Sequence, residues 1–599
     1  MASMALKPLT WGERLDIIDA LTQVLNGVYV HLPLKRSLYG FDVIRGLEHL
    51  RTQLPTLSDL QFHRSLTMLM NRLRDAHTQY KGPWSVNESV ASLPFLVETY
   101  VQDGQRAYVV SKVDRRSVRD PHFVAGVTID YWNGIPFDRA VDLHAESETG
   151  GRPDSRRARA LESLTFRALE YAPPPDEEWV VLGYRDRTGK AREIRLGWEG
   201  FDPQRSPMAS SATLATRSRR GINPAAEAIR RAKKYRFNYG LWRAERQPRR
   251  GRAARSAAAF ADFLTARTVA TRNGRFGYLR IWSFDVDDDQ AFLEAAIALL
   301  RGLPQRGLII DLRANPGGFI WAAERLLQLF TPLAVSPTKF ALRATATTAA
   351  MARAAFNQSE LAPWTESLFA AESTGEPYSS HLPITPYERC NDVGQHYSGP
   401  VVVVVDANTY SSGDLFSAGI VDNRIGALVC IGEATGAGGA NVWDCDDLRA
   451  ALEAAEQPLP ALPAGVRFTL SVRRAVRCGD ADGTLIEDAG VPGQPYEITR
   501  NDVFRANRDL IEHCGEILAA QPRTRLDVKR IGRTLEVRTE GHDQLDVYVD
   551  GHPSGPPIAV RSNGRKRVRI PAKAREIDIV GFSNDVVRQR RRLTIARNS

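Results

Sequence analysis

The run GPVVVVVDANTYSSGDLFSAGIVDN, Gly399 to Asn423, constrains this chain more than any other stretch. Five consecutive valines are too apolar for a strand with one wet face, so this strand is expected to be buried on both. The residues after it read as a helix. Two adjacent serines, Ser411 and Ser412, fall at the junction. The segments around it repeat the alternation: "FGYLRIWSF" and "GLIIDLR" read as strands, "DQAFLEAAIALLRGL" and "IWAAERLLQLF" as helices, and "ALVCIGE" as a further strand. Strands that alternate with helices predict an α/β fold with a covered parallel sheet.

At 599 residues the chain is too long for one core, and several domains are expected. Residues 1–90 read as a helical subdomain. Leu15, Ile18, Leu21 and Leu25, then Phe62, Leu66, Leu69, Met70 and Leu73, recur at helical spacing. Residues 91–200 switch to short strands such as "AYVVSKV" and "EWVVLGY". Residues 201–258 form a basic stretch, 259–520 the α/β domain, and 521–599 a small β domain. The net charge of +10 suggests acidic partners, but the excess is local. Between Arg205 and Arg255 there are fifteen Arg or Lys against two Glu. No aromatic-rich RNA motif or helix-turn-helix pattern accompanies them, so nucleic acid gains no support as a partner. The stretch reads as a solvated, flexible insertion, with residues of about 207 to 254 expected to be cut first by trypsin. A patch for acidic partners is the alternative.

Five cysteines without CxxC and eleven histidines without HExxH give neither a disulfide framework nor zinc spacing. No metal or cofactor is expected. No apolar run spans a bilayer. The N-terminus lacks a secretory pattern, which places the chain in the cytoplasm and leaves an exported form open.

A strand-to-helix turn puts the serine hydroxyls at the carboxyl edge of the sheet, where open α/β folds carry their sites. It also puts them beside the free amides of a helix start, which can hold an oxyanion. A helix cap explains the same serines equally well. "IIDLRANPGGF" is a second strand ending in a turn, with Gly317 and Gly318 letting backbone approach a ligand closely. Two such turns side by side make a two-donor oxyanion hole.

With "GYLRIWSF", "LIIDLRANPGG", "PVVVVVDANTYSSGDLFSAGIVDN" and "IGEATGAGG" in this order, the chain resembles the S41 serine peptidases, which include tail-specific proteases and the tricorn core. The likeness covers roughly Phe276 to Tyr496 and reaches "RLRDAHTQY" more weakly. It implies a crotonase-like catalytic domain, a PDZ-like domain at 91–200 and a peptide or protein substrate. The family's S-x-S-E pattern aligns with Ser411-Ser412-Gly413-Asp414, which makes Ser411 the implied nucleophile and Ser412 the runner-up. The implied oxyanion donors are the amides of Gly318 or Gly317 and of Ser412. The tail-specific lysine is replaced by Gly438, and no lysine occurs between Lys339 and Lys529. The tricorn-like branch uses a histidine instead, and His77 of "RDAHT" stands in its place, with Ala76 where that branch has a serine. "IEDAGVP" offers Glu487 to orient the imidazole. A carboxylate partner would raise the pKa of His77 and put the acid limb of activity at about pH 6 to 7.5. Asp422 matches a family aspartate, but it lies about 16 Å along a helix from Ser411 and is read as structural. The resemblance leaves two other readings open: an inert S41-like peptide- or lipid-binding protein, and an acidic-partner or nucleic-acid binder acting through the arginine-rich stretch. Oligomeric state and side-chain preference are not legible.

Overall fold

The computed structural model describes residues 8–83, 90–201, 219–238, 260–571 and 573–595. Its centre is a six-stranded sheet in the order Leu264–Thr271, Gly274–Ile281, Leu308–Asp311, Val401–Asp406, Gly426–Ile431 and Gln494–Tyr496. The first two strands pair antiparallel and all later pairs are parallel. The valine run is the reason this sheet is internal. Val401, Val403 and Val405 join the core formed with helices Asp289–Arg301, Ile320–Leu327 and Ser412–Asp422. Val402 and Val404 face the other way, onto helix Arg508–Ala520. A period of two thus sends every valine into one apolar layer or the other.

A second sheet of seven strands lies across the carboxyl edge and is antiparallel throughout. Its order begins Gly317–Phe319, Arg220–Ile222, Ala440–Asp444 and Arg467–Val476, and Gln79–Lys81 pairs with the last of these. The helices at the N-terminus, from Trp11–Gly27 to Asp59–Asn71, do not form a separate core. Phe62, Leu66, Met70 and Leu73 belong to the same apolar cluster as the central sheet. This packing brings the end of the Asp59–Asn71 helix, and His77 after it, to the serine.

Residues 95–197 form a six-stranded antiparallel sheet with helices Phe137–Ala145 and Pro153–Ser163 and a core of their own. Residues 523–595 form two small antiparallel sheets around another core. No described helix is long and apolar enough to cross a membrane.

The basic stretch differs from a flexible insertion where it is described. Residues 219–238 form the strand Arg220–Ile222 and the helix Pro224–Phe237, which buries Ile229 and Ala232. The reason is long-range charge pairing. Arg231 meets Asp285 at 2.8 Å, Arg236 meets Glu199 at 2.7 Å, and Lys233 pairs with Glu162. Cations that read as solvated find their acids in distant segments. The remainder of 201–258, with most of the expected trypsin sites, lies outside the described residues.

Candidate active site

Ser411 sits at the junction the sequence marks, between strand Val401–Asp406 and helix Ser412–Asp422. Its backbone is strained, with φ 60° and ψ −116°. Non-glycine residues rarely adopt such angles, and the cost is of order 1–3 kcal/mol, met by surrounding structure. Asp414 supplies much of that structure. Its carboxylate accepts the Ser411 amide at 2.5 Å, those of Gly438 and Ala437 at 2.9 and 3.0 Å, and the Thr435 hydroxyl. One buried acid therefore ties the Ser411 turn to the "TGAGG" loop. Burial raises its pKa to about 6, against the pull of those donors.

His77 arrives from the other side. Its Nε2 lies 2.7 Å from Ser411 Oγ, and both residues are fully buried. A base must come within hydrogen-bond reach of the proton it takes, and this pair satisfies that requirement. The ring packs against Tyr410 at 4.7 Å between centroids. Burial drives the His77 pKa down to about 4, with the Asp75 charge pulling the other way. The expected rise is therefore reversed, because desolvation outweighs the carboxylate.

Glu487 is near but not in the third position. Its carboxylate accepts Lys35 Nζ at 2.6 Å and the Gly439 amide at 3.0 Å, and it lies 3.8 Å from His31 Nε2. It makes no hydrogen bond to His77, whose Nδ1 has no partner among the described residues. Lys35 is the physical reason: a buried ammonium 2.6 Å from Glu487 and 2.7 Å from Asp488 claims those carboxylates. Burial works against the lysine's charge, and its two carboxylates outweigh that and raise its pKa. His31, Asp75 and Glu487 present ligand atoms within 4.8 Å of one another, but Lys35 already supplies the positive charge there.

The acid that holds His77 is Asp75, which sequence reasoning missed. Its Oδ1 accepts the His77 amide at 2.8 Å, and its Oδ2 accepts the Thr78 and Ser471 hydroxyls, each at 2.8 Å. An aspartate bonded to the amide two residues on is an Asx turn, and Asp-x-His in "RDAHT" carries that signal.

The glycine turn takes its predicted place. Gly317 and Gly318 have φ of 96° and 146°. A Cβ on Gly317 would stand 2.8 Å from Ser411 Cβ, and one on Gly318 would lie 1.9 Å from the Phe284 carbonyl carbon. The two amides are not equivalent. Asn315 Oδ1 takes that of Gly317 at 2.9 Å, which leaves Gly318. Ser412 donates its hydroxyl to the Gly318 and Gly221 carbonyls at 3.0 and 3.1 Å. Its amide opens a helix, where no intrahelical acceptor exists. Gly438, at the family's lysine position, has no room for any side chain. A Cβ there would lie 2.5 Å from the Tyr410 ring. Asp422 pairs with Arg477 and accepts the Cys478 amide, away from the serine.

A neighbour that sequence reading did not foresee covers the site. The strand Arg220–Ile222 pairs with Gly317–Phe319, with Gly221 opposite Gly318. A Cβ on Gly221 would stand 2.6 Å from Ser411 Oγ. No bulkier residue fits between this strand and the serine.

With a buried serine–histidine pair at the carboxyl edge of a parallel sheet and glycine amides beside it, the site has the parts of an acyl-transfer centre. Residues 275–450 match the model of Peptidase family S41. Its fold is similar to that of mature CPAF, with a TM-score of 0.59 and 17% identity over 84% of this chain and 97% of the other. Mature CPAF complexed with lactacystin gives 0.58 and 17% over 85% and 98%. At that identity the likeness speaks for the fold alone. No curated protein matches the sequence.

Proposed function

We propose that this chain is a serine endopeptidase in which Ser411 is the nucleophile and His77 the general base. The observation that carries the reading is the 2.7 Å contact between His77 Nε2 and Ser411 Oγ at a strained, buried turn. In the reaction His77 takes the Oγ proton as Oγ bonds to the substrate carbonyl carbon. The C–N bond then breaks and His77 gives the proton to the leaving amine. A water molecule, deprotonated by the same imidazole, attacks the ester. The acid leaves, and the proton returns to Ser411. The Gly318 and Ser412 amides hold the oxyanion, and losing one such donor typically costs about 3 kcal/mol. Asp75 is a positioning residue that fixes the His77 backbone, whereas Glu487 is held by Lys35. The same reading makes the central domain crotonase-like and residues 91–200 a PDZ-like module, with peptide or protein substrates and a cytoplasmic location.

Fluorophosphonate labelling tests the proposal, since only an activated serine reacts. Labelling is run on the unaltered chain and on Arg220→Glu, which loosens the covering strand. Adduct on the Ser411 peptide, absent from Ser411→Ala, is the expected result. Failure of both proteins to label would favour the inert binding protein instead.

A further inference from the structure

The strand that covers Ser411 is seated as an extended peptide would be. Ile320 N–H donates to the Arg219 carbonyl at 3.1 Å, and Asn223 N–H donates to that of Pro316 at 2.8 Å. Hydrogen-bonded pairs alternate in an antiparallel ladder, so Gly221 and Gly318 form the pair between them. The Gly221 carbonyl therefore meets the Gly318 amide, and it also accepts Ser412 Oγ at 3.1 Å. That is where a carbonyl under attack by Ser411 belongs. On the opposite edge the Arg220 carbonyl accepts Asn441 Nδ2 at 2.9 Å. The backbone of the occupant is thus held from both sides by groups that any sequence would satisfy.

Its side chains are held by groups that most sequences would not. Arg220 pairs with Asp285 and, at 2.6 Å, with Asp287. Arg219 reaches Glu360 at 3.1 Å and lies over the Trp321 ring, 4.4 Å from its centroid. All three acids are largely buried beneath the occupant. If the strand leaves, Asp287 and Glu360 lose these cations, and Asp285 keeps only Arg231. A half-buried groove with uncompensated carboxylates calls for a cation in return.

We propose, resting on the peptidase reading, that this groove selects extended basic segments. It takes arginine at the two positions before a glycine, the glycine carbonyl faces Ser411, and Asp285, Asp287 and Glu360 determine the preference. Arginine suits it better than lysine, because Asp285 and Asp287 engage two nitrogens of one guanidinium and Trp321 offers a stacking face.

The test is a binding measurement on the full chain carrying Ser411→Ala with Arg219→Gln and Arg220→Gln, which weakens the chain's own occupant. Arg220→Ala replaces the double change if circular dichroism shows that it unfolds the protein. The probes are two fluorescein-labelled peptides, Ala-Arg-Arg-Gly-Ile-Asn and its Gln-Gln analogue, read by anisotropy. The basic peptide is expected to bind at least tenfold more tightly. Raising salt should weaken it alone, and adding Asp285→Asn with Asp287→Asn should erase the difference. Equal affinities, no saturable binding of either peptide, or a preference that survives neutralising the aspartates would overturn the proposal. Fluorophosphonate labelling of the Arg220→Glu chain separates the two readings. A chain that labels without a basic preference keeps the peptidase and loses the selectivity. One that binds the basic peptide without labelling does the reverse.

Discussion

The two sheets that meet at Ser411 are held differently where they face it. The parallel sheet is held by apolar burial: each residue of the Val401–Val405 run is at most 3% exposed. The antiparallel sheet buries apolar residues as well, among them Phe468, Leu470 and Val472, but its strand beside Ser411 is held by polar groups: Arg220, Asn441 and Arg473 face acids, carbonyls and one another. Apolar burial is spread over the whole sheet and is lost only when the domain unfolds. A short strand fixed by a few ion pairs and ladder bonds can leave while the rest stays. Ser411 thus sits on the part held by spread apolar burial, and its cover on a strand held by a few polar contacts.

The largest expected effect sharpens this contrast at the nucleophile. Ser411→Ala should lower turnover by about a millionfold and leave the melting temperature nearly unchanged. Near-normal turnover in this variant, with loss in Ser412→Ala, would move the nucleophile by one residue.

The next pair of variants is aimed at the two sheets themselves. Ile310→Ala in the parallel sheet should cost about 2–5 kcal/mol in denaturant unfolding. Arg220→Glu should barely move the unfolding midpoint. It should speed labelling of Ser411 by about tenfold for each 1.4 kcal/mol of strand attachment lost. If Arg220→Glu unfolds the domain as readily as Ile310→Ala does, the cover is part of the scaffold and the comparison fails.

Gly438 lies against the Tyr410 ring. Gly438→Ala must push the Tyr410 ring, which packs on His77, and should cost about 1–3 kcal/mol together with a loss of kcat. An alanine variant with unchanged stability and rate would show that the ring has slack.

The smallest effect is on pH. A histidine base acts when neutral, and burial lowers the His77 pKa to about 4 in the covered site. Opening lets water in and moves the value back toward about 6.5. The acid limb of kcat/KM should therefore fall between these limits, centred below the range that a carboxylate partner would give. A limb centred above pH 7 would mean that a negative charge, not burial, governs the imidazole.

Much of this was legible in the sequence, for a reason the two sheets share. Runs such as "VVVVV" and "GLIIDLR" report their own burial, so the parallel sheet and the Ser411 turn follow from local pattern. His77 followed from the family resemblance, and the geometry brings it to the serine. Glu487 followed from the same resemblance. Its orientation depends on Lys35, 452 residues away, and no local pattern carries that. The described part of the basic stretch, residues 219–238, departs from the solvated reading for the same reason. A charge run is polar whether it meets water or, as Arg220 and Arg231 do, carboxylates from another part of the chain.

The collision between position 438 and the Tyr410 ring has a consequence for how such sites can change. A lysine general base at 438 requires two substitutions together, one to install the amine and one to remove the ring. The lysine alone meets the Tyr410 ring, and shrinking Tyr410 alone strips the packing from His77. Neither intermediate improves on its parent, so single steps do not connect the two kinds of base. A designer who wants a lysine at this position must cross in one move, with Gly438 and Tyr410 replaced as a pair.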